Sequence, residues 1–111
     1  MTRIDLANYS TRQGARVAKV FTGRDRGRRV REESRIDEIY RKDGEIEVII
    51  PKGTFSITPS FLEELFNNIV KKVGKEKFRN TVKIEANGYK IEVPLEEALE
   101  RILQEKNALD N

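Results

Sequence analysis

Apolar positions recur along this chain in two rhythms, one of the α-helix and one of the β-strand. Between residues 59 and 73, Phe61, Leu65, Ile69 and Val73 fall four apart, with Leu62, Phe66 and Val70 beside them. That spacing makes one broad apolar face of a helix. Thr58 supplies a side-chain cap with Pro59 at the first helical position, and Ser60 with Glu63 forms an alternative capping box. Lys71 and Lys72 suit the negative end of the helix dipole, and Gly74 supplies the left-handed turn that stops the helix. A last amphipathic helix opens at Pro94, with Leu95, Ala98, Leu99, Ile102 and Leu103 on its inner side and a tail, 107–111, that frays.

The two-residue rhythm marks the strands. Residues 45–50 begin alternating and end continuously apolar, as in a central strand buried on both faces, and Pro51 closes it for want of an amide hydrogen. Residues 52–57 are then a loop. Residues 81–86 alternate, Asn87-Gly88 is a two-residue turn signal, and 89–93 alternate again, a pattern that predicts a hairpin. At the N-terminus, 3–8 and 15–21 read as two strands able to form a hairpin, with a helix over 11–21 as the competing reading. Thr22 is placed to cap a helix from Gly23 to about Lys42, closed by Asp43-Gly44. Its apolar content is thin (Val30, Ile36, Ile39, Tyr40), and Gly27 inside it costs about 1 kcal/mol against alanine, which points to close packing or a ligand's approach. The resulting order gives an α/β class, a mixed β-sheet with helices packed mainly on one face, in one domain. Residues 1–21 form its N-terminal strands or hairpin, 22–103 its core, and 104–111 a frayed tail.

Composition narrows the chemistry. With 111 residues the chain has room for one core. Charged residues are as abundant as hydrophobic ones, 37% each, so the surface is heavily ionised. No apolar run approaches the ~18 residues of a membrane span, and Met1-Thr2-Arg3-Ile4-Asp5 lacks the apolar core of a secretory signal; the expected setting is cytoplasmic. Cys, His and Trp are absent, which excludes disulfides, thiolate chemistry, Cys/His zinc sites and every His-dependent triad. No cofactor or metal is expected, and no carboxylate constellation suggests an enzyme.

The charge is unevenly placed. Residues 1–35 hold ten Lys/Arg against four Asp/Glu, and residues 36–111 hold twelve against fifteen. Arg24, Arg26, Arg28, Arg29, Arg31 and Arg35 crowd twelve positions, a local field that attracts nucleic acid, acidic protein or phosphate. The plainer reading, and the preferred one, is a solvated helix face with Asp25, Glu32 and Glu33 as partners. Gly23-x-x-x-Gly27 lacks the Gly-Lys-Ser/Thr ending of a phosphate loop. Phe61, Leu65 and Phe66 are core, each contributing about 1.5–3 kcal/mol on burial. Glu63 and Glu64 are expected on solvated surface. Phe55, an aromatic on a loop beside a helix start, suits a docking anchor or folds back over the end of the sheet.

Two stretches carry a resemblance: Thr22-Gly23-Arg24-Asp25-Arg26-Gly27-Arg28-Arg29-Val30-Arg31, and residues 46–66 with Gly53, Ser56-Ile57-Thr58, Ser60-Phe61 and Glu63-Glu64-Leu65-Phe66. In order and spacing they resemble the STAS-like family of small bacterial domains, over roughly residues 20–103. The resemblance implies a non-enzymatic relative of the anti-sigma-factor antagonists, which dock a protein partner such as a histidine-kinase-like ATPase or an anti-sigma-type regulator. The implied docking surface is the loop before the helix and its first turn: Gly53, Thr54, Phe55, Ser56, Thr58 and Ser60. In the antagonists a serine there is phosphorylated, which switches docking off; here that position falls on Pro59, and Ser60 and Thr58 are the implied neighbouring phosphoacceptors. Capping is the preferred role for both hydroxyls. The alternative function is nucleic-acid or polyanion binding through the arginine segment 24–35.

Overall fold

The strand-forming and helix-forming stretches meet on one face of a small parallel sheet. The computed structural model describes residues 1–9, 12–13, 16–17 and 19–110, leaving aside the side chains at 12, 13, 16, 17, 109 and 110. In chain order the elements are β1 (Thr2–Asp5), a 3-10 turn (Leu6–Tyr9), β2 (Arg12–Gln13), β3 (Arg16–Val17), β4 (Val20–Phe21), α1 (Arg24–Ser34), α2 (Ile36–Asp43), β5 (Ile46–Ile49), β6 (Ser56–Ile57), α3 (Pro59–Thr81), β7 (Val82–Glu85) and α4 (Glu92–Asp110).

The main sheet has the order β1-β5-β7 and is parallel throughout, where the sequence suggested a mixed one; among the described residues antiparallel pairing is confined to β2 with β3. Its rungs align Thr2 with Ile46 and Val82, then Ile4 with Val48 and Ile84. Those residues share one face, and Ile4, Ile46, Val48 and Val82 are buried there. The intervening rungs, Arg3-Glu47-Lys83 and Asp5-Ile49-Glu85, make up the other face. Arg3 Nε donates to Glu47 Oε1 across it at 2.7 Å. Parallel sheets are usually covered on both faces. Here the outer face is charged, so β5 is central yet buried on one side only.

Several elements differ from the sequence pattern, each for a local reason. β1 stops at Asp5 because its carboxylate accepts the amide of Ala7 at 2.9 Å and turns the chain. The predicted N-terminal hairpin gives way to parallel pairings: β1 with β5, and β4 with β6 inside the stretch read as a loop. The described residues of 11–21 form short strands, not a helix; residues 11, 14, 15 and 18 of that region lie outside the described residues. Glycine 23, not Thr22, occupies the N-cap of α1. The predicted helix over 23–42 breaks at Arg35, which adopts a left-handed conformation (φ 58°). Val30 and Ile36 explain the break: six residues at about 100° each point them to different sides of a straight helix. The turn at Arg35 re-phases the chain so that both are buried. Gly44 closes α2 as expected, its amide donating to Tyr40 O at 2.7 Å.

Thr58 caps α3 with Pro59 behind it, as the sequence indicates. Gly74 leaves helical geometry (φ 86°, ψ 170°), but the helix resumes and runs to Thr81. Asn87 and Gly88 both take positive φ, so the turn forms; the second strand of the hairpin does not. Instead the Tyr89 hydroxyl accepts the amide of Ile57 at 2.9 Å and donates to its carbonyl at 3.3 Å, tying the segment to β6. α4 then begins at Glu92, ahead of Pro94. Its far end is helical to Asp110, where fraying was expected. Lys71 pairs with Glu105 at 3.2 Å, and Lys106 Nζ donates to Lys71 O at 2.9 Å, so α3 grips that end. Nearer the start of α4, Lys75 and Arg79 both engage Glu96 and hold its carboxyl below the usual carboxylate range. No helix among the described residues is long and apolar enough to cross a membrane.

Candidate functional site

Three helices converge where α3 begins. Gly27 of α1 lies flat against the first turns of α3: a Cβ there would strike the Phe61 carbonyl oxygen and come within 2.8 Å of Glu64 Cβ. Of the two meanings the sequence allowed for this glycine, close packing is the one realised. Phe21 and Phe61, both fully buried, meet at a tilt of 53° with centroids 5.5 Å apart.

The Thr58 hydroxyl is the hub of the junction. It accepts the Phe61 amide of its own helix at 3.4 Å and the Gly23 amide at 3.1 Å, and lies 3.1 Å from Ser60 Oγ. One side chain therefore caps α3 and fixes the start of α1. Ser60 is half-buried in the first turn.

The stretch preceding this cap is irregular yet anchored. Thr54 closes a turn onto Pro51 O through both its amide (3.2 Å) and its hydroxyl (2.6 Å). Gly53 takes φ 81°, and the Phe55 amide donates to Lys19 O at 2.9 Å. Ser56 is half-buried in β6, opposite Val20. Phe55 itself is 85% exposed, so it does not fold back over the sheet. Gly53, Thr54, Phe55, Ser56, Thr58 and Ser60 thus form one continuous ridge leading into the helix.

The arginine segment is largely engaged. Arg24 Nη2 donates to both carboxylate oxygens of Glu63 (3.2 and 3.1 Å) and Nη1 to Glu64 at 3.3 Å. Arg31 Nη1 donates to the Glu64 carbonyl at 2.6 Å. Arg28 pairs with Asp25 at 3.0 Å and Arg35 with Glu38 at 2.7 Å, a contact that holds the Glu38 carboxyl below its ordinary range. Arg26 and Arg29 have no ion pair among the described residues. Glu63 corrects the expectation of a solvated surface residue. It is 3% exposed, held between Arg24 and, at 3.8 Å, Arg101 of α4. This carboxylate is neutralised inside a contact between helices.

Sequence reasoning missed the second half of the site. Residues 52–55 and 87–90 face each other across an open, shallow cleft of about 650 Å³. Asn87 Nδ2 donates to Ile50 O at 2.7 Å and joins the two loops. Both loops leave the carboxyl ends of parallel strands, β5 and β7, where open α/β sheets present their binding crevices. The signal was present in Asn87-Gly88, whose strong turn propensity fits a hairpin equally well. A second groove, about 550 Å³, lies between α2 and α3 over Ile69 and Val73, away from residues 53–60 but bordered by Glu38, the partner of Arg35; Asn68 spans it to Asp37 at 2.8 Å. No protein-family model, no curated protein and no solved structure matches this chain.

Proposed function

We propose that this chain is a non-catalytic regulatory module of the STAS-like kind that docks a protein partner through residues 53–58 and the first turn of α3. The partner class that goes with this reading is a histidine-kinase-like ATPase or an anti-sigma-type regulator, met in the cytoplasm. One observation carries the proposal: Phe55 stands almost wholly exposed on a loop that is itself hydrogen-bonded in place. An aromatic side chain kept in water by a pinned backbone is the form of an interface anchor, because little ordering entropy remains to be lost on binding. The Thr58 hydroxyl already serves two backbone amides, which leaves Ser60 as the better placed hydroxyl for a charge switch at the helix start. The polyanion reading has less support, since four of the six arginines in 24–35 face carboxylates.

Phe55→Asp and Ser60→Glu test the surface. Neither change removes buried apolar area, and a carboxylate in the first helical turn suits the dipole, so both variants keep the wild-type thermal transition to within a few degrees. Affinity capture from the native host, read by mass spectrometry, loses the partner with either variant. For Phe55→Asp the drop is about 30-fold or more, a hot-spot loss of about 2 kcal/mol. Folded variants that retain the partner overturn the proposal.

A further inference from the structure

The cleft beside Phe55 has a charge of one sign. Lys52 and Lys90 project from its two loops, and Lys19, whose Nζ donates to Lys52 O at 2.9 Å, stands at its margin, where a Cβ on Gly53 would lie 3.4 Å from that amine. None of the three lysines has an ion pair among the described residues, and no carboxylate lines the cleft. Of the other described lysines and arginines, ten have an ion pair and seven do not. Resting on the docking reading above, we infer that the partner presents a short acidic segment with an apolar side chain, the acids meeting Lys19, Lys52 and Lys90 and the apolar group meeting Phe55. The docking surface therefore includes 87–90 as well as 53–58.

The extent of the patch separates this occupant from nucleic acid. Asp5 and Glu85 stand on the last rung of the sheet's outer face, at the same end as the lysines. Glu85 Oε1 accepts the Asn87 amide at 3.4 Å and so stands beside the cleft loop, and a phosphate backbone extended across that end meets both carboxylates. Phe55 is moreover the only aromatic exposed there. Tyr89 also lines the cleft but is half-buried, with its hydroxyl turned inward onto β6, so successive bases would find one exposed ring and one partly covered ring here.

Photo-crosslinking from two positions tests the inference separately from docking itself. Phe55→p-benzoylphenylalanine and Ser60→p-benzoylphenylalanine are irradiated in native-host extract, with and without nuclease, and the crosslinked peptides are sequenced. The expected result is that both positions label one protein, that the segment joined to position 55 carries more Asp and Glu than Lys and Arg, and that Lys52→Glu with Lys90→Glu cuts the yield at least about tenfold while the paired Lys→Arg changes retain it. A neutral or basic segment at position 55, labelling from position 60 alone, or indifference to charge reversal overturns the inference and leaves docking intact. Loss of the adduct on nuclease treatment makes nucleic acid the occupant and overturns it as well. If neither position labels a protein, the docking reading falls too.

Discussion

Gly27→Val costs this domain a large part of its stability. The first added atom meets the Phe61 carbonyl oxygen and lies 2.8 Å from Glu64 Cβ; the former is backbone and the latter the root of a side chain on the same helix. No rotamer change relieves the contact, so α1 must move off α3. That displacement also stretches the Arg31 bond to the Glu64 carbonyl and the Arg24 pair with Glu63. Overpacking a close helix contact costs about 1–3 kcal/mol for a single methyl. The better helix propensity of alanine returns about 1 kcal/mol. Gly27→Ala is therefore expected to be mildly destabilising, and the larger valine to cost at least about 3 kcal/mol, a fall of roughly 15–20 °C in Tm for a chain of this size. Thermal denaturation followed by circular dichroism reads both; a Gly27→Ala protein more stable than wild type contradicts the packing described here.

The second large effect lies at Glu63. Arg24→Met leaves a buried carboxylate with only Arg101, 3.8 Å away. Stripping a partner from a buried pair costs about 3–5 kcal/mol, and the half-exposed Arg24 guanidinium places this case below that range, at about 2 kcal/mol. Glu63→Met costs less, because Arg24 keeps Glu64 and Arg101 keeps Glu97 as partners at the exposed edge of the contact. The double variant restores much of the loss, because two methionines pack where a charge pair had to be desolvated. Urea denaturation of the four proteins gives the coupling; purely additive losses contradict a direct Arg24–Glu63 interaction.

The sequence carried the strongest periodic elements and the capped start of α3, where Thr58, Pro59 and the four-residue spacing from Phe61 to Ile69 all agree. It failed where tertiary partners override local pattern. Residues 89–93 alternate like a strand, yet the Tyr89 hydroxyl finds both backbone groups of Ile57 and the chain turns into α4. Residues 23–42 look like one helix until Val30 and Ile36 must both reach the core. Glu63 reads as surface because its burial depends on Arg24 and Arg101, 39 positions before it and 38 after it in the chain. The candidate site was half legible: the ridge 53–60 is local, while its pairing with 87–90 depends on the order of strands in the sheet.

The most direct test of the docking surface is a two-dimensional amide NMR titration of the labelled protein with the captured partner. The proposal predicts that the largest shift changes fall on residues 52–60 and 87–90, with the 24–35 segment and the groove between α2 and α3 nearly unmoved. Changes centred on the arginine segment or on that groove, with the Phe55 amide undisturbed, contradict it.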